Sequence, residues 1–139
     1  MSDETKFEAE TRVPVQSDSD IVVARQQGRA IARELGFTLG NATLIATAIS
    51  ELARNIVQYA TRGEVILRRI ENGNQRGLVL IVRDEGPGIP DVLQAMQDGY
   101  STSGRLGLGL PGVRRLMDEF DIESEVGKGT TVTVSKWKT

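Results

Sequence analysis

The sequence predicts an α+β domain in which helices cover one face of a mixed, mostly antiparallel sheet. Three observations predict it. Two successive stretches, Ile21 to Leu35 and Ala42 to Ala60, place apolar residues every three or four positions, the spacing of a helix stripe. Two apolar runs follow, Glu64 to Glu71 and Leu78 to Asp84, separated by the turn residues Asn72-Gly73-Asn74, a hairpin signal. Two alternating segments close the chain, Phe120 to Val126 and Thr130 to Trp137, around Gly127-Lys128-Gly129. Elements in the order βα α ββ α α ββ pack most simply as one helix layer on one sheet.

Residues 1–11 are polar and are expected to be a disordered lead-in, leaving residues 12–139 as one domain. Arg12 to Gln16 alternates as a short strand, and Pro14, which has no amide donor, belongs at a sheet edge. Ser17-Asp18-Ser19-Asp20 offers N-cap candidates and first-turn acids for a helix reaching about Leu35. Its buried stripe is Ile21, Ala24, Gly28, Ile31 and Leu35; Gly28 within that stripe implies a close helix approach, and Gly36 is the C′ stop.

The second helix is expected from Asn41, its cap, to Ala60. Ala42, Ile45, Ala46, Ile49, Leu52, Ala53, Ile56 and Ala60 form one broad stripe. Glu51 and Asn55 lie one turn apart on another face, roughly 130° from the stripe centre, shared with Leu44, Ala48 and Tyr59. That face is half apolar, so it is expected to meet something other than bulk water. The continuous run Leu78-Val79-Leu80-Ile81-Val82 predicts a central strand buried on both faces, delivering Asp84 at its end. A short helix is expected over Asp91 to Asp98. Pro111 fits the first turn of another, ending near Met117 or Asp118.

Composition excludes several chemistries. The 139 residues suffice for one domain with a core, and apolar and charged fractions of 39% and 26% are those of a globular protein. A net charge of −2 gives no electrostatic case for nucleic acid or an anionic membrane surface. No apolar run of about eighteen residues exists, and the start MSDETKFEAE carries no signal-peptide or lipidation pattern, so a cytoplasmic protein is expected. The absence of Cys excludes disulfides, thiolate nucleophiles and cysteine–zinc sites. The absence of His excludes a Ser-His-Asp triad, an imidazole base and phosphohistidine. Acid–base work falls to Asp, Glu, Lys or Tyr.

Asp84 to Gly112 holds seven of the fifteen glycines. Such a stretch is either backbone shaped to grip a ligand closely or a long mobile surface loop. Gly107-Leu108-Gly109-Leu110-Pro111-Gly112 satisfies G-x-G-x-x-G, but Ser101-Thr102-Ser103-Gly104 stands where a dinucleotide fingerprint needs a strand. No G-x-x-x-x-G-K-[ST] is present. What remains is a glycine-rich helix start, where the amides of Leu108, Gly109 and Leu110 and the Arg105 guanidinium suit a phosphate. The alternative is an ordinary loop-to-helix junction with a solvated arginine.

Glu51 and Asn55 are either a solvated helix edge or a reactive pair. An amide oxygen near a triphosphate suits Mg²⁺, which keeps waters and takes few protein ligands; a carboxylate one turn away suits a proton acceptor for an attacking hydroxyl. Asp84, a carboxylate at the end of a buried strand, needs a partner. The exocyclic amine of adenine is one; the amides of its own following turn are another.

Helix Glu51-Leu52-Ala53-Arg54-Asn55, turn Asp84-Glu85-Gly86-Pro87-Gly88-Ile89, the loop from Gly104 to Leu110 and the closing Gly127-Lys128-Gly129-Thr130 resemble, in order and spacing, the N, G1, G2 and G3 boxes of the GHKL ATPase/kinase superfamily. The likeness runs from Ile21 to Trp137. Within the superfamily the chain resembles the small serine-kinase branch of stressosome switch kinases and anti-sigma factors; ISELARNI, DEGPGIPD, DGYSTSG and LGLPGVRRLMDEF carry that likeness. The short span between Gly88 and Gly107 and the missing His agree with that branch.

The resemblance implies a two-layer α/β sandwich of the Bergerat (GHKL) type, with ATP and Mg²⁺ as cofactors. It implies that Asn55 holds Mg²⁺ bridging the phosphates and that Glu51 is the general base. Asp84 would bind the adenine amine, supported by Thr130 through water, and Gly86, Gly88 and Ile89 would shape the adenine pocket. Gly104, Arg105, Leu106, Gly107, Leu108, Gly109 and Leu110 would form the lid and phosphate cradle. The implied activity is a serine/threonine-protein kinase acting on STAS-domain scaffold and antagonist proteins of a stressosome. Such a kinase then switches partners to activate a PP2C-type phosphatase through its regulatory region. The alternative implied function is an anti-sigma factor that sequesters a sigma factor and phosphorylates its STAS antagonist. Anti-sigma relatives pair as homodimers, while the oligomeric state of this chain stays open. An isolated metabolic ATPase is disfavoured, since no second domain is expected to close the site against water.

Overall fold

Alternating strands and two long amphipathic helices account for most of the described residues, which in this computed structural model are 6–60, 62–88, 96 and 109–138. In chain order they are β1 (Lys6–Val15), α1 (Asp18–Glu34), α2 (Leu39–Tyr59), β2 (Gly63–Asn72), β3 (Gln75–Asp84), α3 (Gly109–Leu116), β4 (Glu119–Glu125) and β5 (Gly129–Trp137). The strands form one sheet in the order β1-β2-β3-β5-β4, and the expected mostly antiparallel sheet is antiparallel in all four pairings. Pro14 sits on the edge strand β1, where its missing amide leaves no gap inside the sheet.

Burial follows the pleat. Val13, Val15, Val65, Leu67, Leu78, Leu80, Val82, Val132 and Val134 are buried in the core with the helix stripes. The helices α1 and α2 pack closely because Gly28 has no side chain: a Cβ there would run into Ile49 Cδ1. Gly73 has φ +62°, and Asn72 pairs with Gln75, so a two-residue turn with positive φ at its first central position joins β2 to β3, as a type II′ hairpin requires. The stretch Asp91 to Asp98, expected to be helical, lies outside the described residues apart from Met96, which packs half-buried on the core.

Three expectations need correction. The chain enters the sheet at Lys6, not Arg12, so part of the expected disordered lead-in pairs with β2. A register shift between Phe7 and Glu10 breaks the alternation there and hides the strand from its own pattern. The cap of α2 is Thr38 rather than Asn41: Thr38 Oγ1 accepts from the Asn41 amide at 3.1 Å, which makes Asn41 the capped residue. The central run of β3 is buried on one face only, since Val79 and Ile81 are half-buried on the face away from the helices. A continuous apolar run reports a central position, and β3 is central; it does not report a second covering layer.

Helix α1 starts as its sequence indicates, with Asp20 Oδ2 accepting from the amides of Gln16 (2.9 Å) and Ser17 (3.2 Å). Gly36, at φ +94°, ends it. The Gln16 amide, and then that of Ser17, holds the Asp20 carboxyl below the usual carboxylate range.

Two outcomes test this packing. Gly28→Val is expected to cost about 1–3 kcal/mol in urea unfolding by overpacking, and Ile49→Ala in the same chain should recover part of it because the two sites touch. For Asp20 the folded pKa is lowered, so its contribution is complete above the unfolded value of about 3.9 and is lost as pH falls through the folded value. The gap in urea midpoint between the native chain and Asp20→Ala should therefore hold at neutral pH and narrow below about pH 4.

Candidate functional site

The site begins where β3 ends. Register places Asp84 opposite Thr130 of β5, and Thr130 opposite Ser124 of β4, so three polar side chains lie in one row across the sheet. Asp84 Oδ1 accepts from the Gly86 amide at 2.8 Å and from the Thr130 amide at 3.3 Å. Among the described residues both bonds fall on Oδ1. The two readings of Asp84 are thus compatible, since the amides occupy one carboxylate oxygen.

Thr130 reaches Asp84 directly through its backbone amide. Its hydroxyl lies 2.8 Å from Ser124 Oγ, which in turn is 3.2 Å from the Gly129 carbonyl it donates to. Ser124 is a residue that sequence reasoning missed. Its signal was present, since a Ser opposite a Thr on adjoining strands is a favourable cross-strand pair, but only the register reveals which residues are opposite.

Three glycines are required by backbone crossings. A Cβ on Gly86 would lie 2.8 Å from Ala60 Cβ, so the turn after β3 packs on the end of α2. Gly88, at φ +81°, faces the Glu125 carbonyl, and Gly129, at φ +116°, faces the Asp84 carbonyl; a side chain at either would collide with backbone. Gly127 N donates to Pro87 O at 2.9 Å, stitching the same turn to the β4–β5 hairpin. Glu85 closes the outer side through an exposed ion pair with Arg62 at 2.6 Å, and that partner raises the Arg62 pKa.

Helix α2 supplies the second half. Glu51 is buried, at 8% exposure, and Asn55 is half-buried. A solvated helix edge would leave both wet. The rest of that face behaves as expected of a half-apolar surface: Ala48 is fully buried, Leu44 is half-buried and Tyr59 is 44% exposed. Arg54 Nη1 donates to Glu51 Oε2 at 2.6 Å, a contact that the sequence reading did not single out. Asn55 precedes Ala60 by five residues, about 7.5 Å of helix rise, so the contact of Gly86 with Ala60 brings the Asp84 turn to the end of the helix that carries Glu51 and Asn55.

Gly109, at φ +64°, and Leu110 open α3, with Pro111 in its first turn and buried. Ile89, Gly104, Arg105, Leu106, Gly107 and Leu108 lie outside the described residues. Among the described residues no cluster of three or more Asp, Glu, His or Cys is placed to hold a metal ion. A divalent ion here would depend on the Asn55 amide oxygen, water and phosphate oxygens, which is the sparse donor set that Mg²⁺ accepts. No described helix is long and apolar enough to cross a membrane.

The family described as "Histidine kinase-, DNA gyrase B-, and HSP90-like ATPase" matches residues 40–139. Serine/threonine-protein kinase RsbT of Bacillus subtilis (strain 168) is 51% identical over 125 residues, covering 90% of this chain and 94% of that protein. An anti-sigma F factor of Thermoanaerobacter sp. (strain X514) is 33% identical over 120 residues, covering 82% of each. Among solved structures, the RsbU and RsbW domains of a Mycobacterium tuberculosis protein superpose with a TM-score of 0.62 at 21% identity, covering 95% of this chain and 34% of that one. The mycobacterial sensor histidine kinase MprB superposes with a TM-score of 0.55 at 14% identity, covering 93% and 97%. At these identities the two structures speak for the fold.

The crossing at Gly129 has a direct consequence. Gly129→Ala combines positive φ with a Cβ driven into the Asp84 carbonyl. It should lower stability by at least about 1–3 kcal/mol in urea unfolding, and an unchanged midpoint would refute the crossing.

Proposed function

Because this chain belongs to the histidine kinase-, DNA gyrase B- and HSP90-like ATPase family, we propose that it is an ATP-dependent serine/threonine-protein kinase whose acceptor hydroxyl belongs to a separate protein. The observation that carries the reading is the buried Glu51 one helical turn from Asn55, on a helix whose end packs on the turn that holds Asp84 Oδ1. Its likeness to a serine/threonine-protein kinase over nine-tenths of the chain supports the same class.

Asp84 Oδ2 accepts from the exocyclic amine of adenine, and the Thr130 amide fixes Asp84 from the other side. Gly86, Gly88 and Ile89 would shape the adenine pocket. Asn55 Oδ1 would hold Mg²⁺, which would supply charge neutralisation at the phosphates. By the family resemblance, Gly104 to Leu110 would form the lid and phosphate cradle, with Arg105 supplying donors and the α3 start supplying amides. The acceptor oxygen forms its bond to the γ-phosphorus as the bridging bond to the β-phosphate breaks; ADP leaves with that electron pair, and the hydroxyl proton passes to the Glu51 carboxylate.

The acceptors we assign are STAS-domain scaffold and antagonist proteins of a stressosome. The second partner is the regulatory region of a PP2C-type phosphatase in the cytoplasm. The similarity to anti-sigma F factors supports a second reading, in which the chain sequesters a sigma factor and phosphorylates its STAS antagonist, with a homodimer as the binding unit.

Transfer of labelled γ-phosphate from Mg–ATP to a STAS protein tests both the class and the roles. Asn55→Ala is expected to lose at least about 100-fold in transfer, the scale of a lost charge-stabilising contact; full transfer would remove the metal assignment. Asp84→Asn keeps a carbonyl oxygen for the Gly86 and Thr130 amides but turns the other oxygen into a donor. It should keep the native unfolding midpoint and bind ATP about 10–100-fold more weakly, the equivalent of one lost and one mispaired bond. Pull-downs against the STAS protein, the phosphatase region and a sigma factor separate the two readings, and capture of the sigma factor alone favours the second.

A further inference from the structure

We propose that Arg54 is a positioning residue for phosphoryl transfer: its guanidinium holds the Glu51 carboxylate in the orientation that takes the proton from the acceptor hydroxyl. This rests on the reading of Glu51 as general base.

Exposure separates this pair from the ion pairs on the protein's surface. Arg62 and Glu85 are both wet, with side chains 64% and 66% exposed, and a pair of that kind contributes little. In the Arg54–Glu51 pair the arginine reaches solvent at 39% exposure while the carboxylate is at 10%, so a cation enters from outside to meet a buried anion. At 2.6 Å the bond from Nη1 to Oε2 is a short charge-assisted contact, the strong class of hydrogen bond.

The helix wheel adds direction. With about 100° per residue, Arg54 lies about 60° to one side of Glu51 and Asn55 about 40° to the other. Glu51 is therefore flanked by the amide proposed to face the metal and phosphates and, opposite it, by the guanidinium. Glutamate has three rotatable side-chain bonds, and one fixed oxygen removes most of that freedom before the acceptor arrives. A second effect is electrostatic. A buried carboxylate beside a triphosphate is repelled by it, and a fixed positive charge on its far side offsets that repulsion. Arginine remains protonated throughout, so it cannot take the proton itself. In the step, the acceptor oxygen–phosphorus bond forms, the bond to the β-phosphate oxygen breaks, ADP leaves with the electron pair, and the proton ends on Glu51.

Single-turnover and steady-state transfer from labelled Mg–ATP to a STAS-domain protein test the proposal, using Arg54→Gln, Arg54→Lys, Glu51→Ala and the double variant Glu51→Ala/Arg54→Gln. Arg54→Gln should lower kcat by about 10–100-fold, the usual penalty for a misplaced reacting group, with KM for ATP within about twofold. Arg54→Lys, which restores the charge and one donor, should recover part of that loss. In the Glu51→Ala chain, Arg54→Gln should change nothing further, because the two residues act as one unit. Unfolding midpoints within a few degrees of the native chain separate this from a folding defect, and the lysine variant serves if the glutamine variant is unstable. Full transfer by Glu51→Ala overturns the base assignment, and this proposal with it. An inactive Glu51→Ala beside an Arg54→Gln with native or raised kcat overturns the proposal alone, as does a further loss in the double variant.

Discussion

Asp84 Oδ1 accepts two backbone amides from segments that the chain brings together only through the sheet, that of Gly86 in the next turn and that of Thr130, forty-six residues away. The pairing of β3 with β5 sets the second bond, and the glycine at 129 lets the two backbones come close enough for it. The same register places Ser124 beside the Thr130 hydroxyl. The turn after β3 then has little freedom, because Gly86 lies on Ala60, Gly88 lies on the Glu125 carbonyl and the Gly127 amide is bonded to Pro87. One carboxylate oxygen therefore fixes the seam between strand, hairpin and helix end. The orientation of the Asp84 carboxylate follows from it.

The helix side depends on a different constraint. Helix α2 must bury one stripe against the sheet and α1, and the absent side chain at Gly28 lets α1 come close enough to do so. Once that stripe is seated, the rotation of α2 is set and Glu51 is carried into a buried position. A buried carboxylate is costly unless it is paired. Arg54 is the pairing the helix itself provides, three residues on and reaching in from solvent. The burial that makes Glu51 expensive also keeps it away from water, which is the setting in which a carboxylate acts selectively on a bound hydroxyl.

Periodicity made the helix stripes and the hairpin legible, because burial on one side imposes 3.6 and 2.0 residue repeats directly on the sequence. It served less well where one residue type fits two neighbouring positions. Thr38 and Asn41 are both good caps, and only the extended backbone of Thr38 and its bond to the Asn41 amide decide between them. The irregularity at Phe7 to Glu10 removed the alternation that would have announced the start of β1. Glu51, Asn55, Asp84 and the glycines at 86 and 88 could be singled out as candidates from a polar pair one helical turn apart, a carboxylate at a strand end, an acidic glycine turn and the family resemblance. Ser124 and Arg54 could not. A serine in a strand and an arginine on a helix are ordinary, and each matters only through the residue it touches, by register in one case and by helix rotation in the other.

The two halves of the site are held by different means. Asp84 is fixed by backbone amides and by glycines that admit no side chain, all of them in or beside strands. Glu51 is held by the seating of a helix and by the ion pair with Arg54. On the proposed reading, a nucleotide spanning both would be gripped at its base end by the strand ends, so binding energy gathered around Asp84 would orient the phosphates toward α2. Changes at the strand end would then act mainly on how tightly the nucleotide is held, and changes at Glu51 on what is done with it.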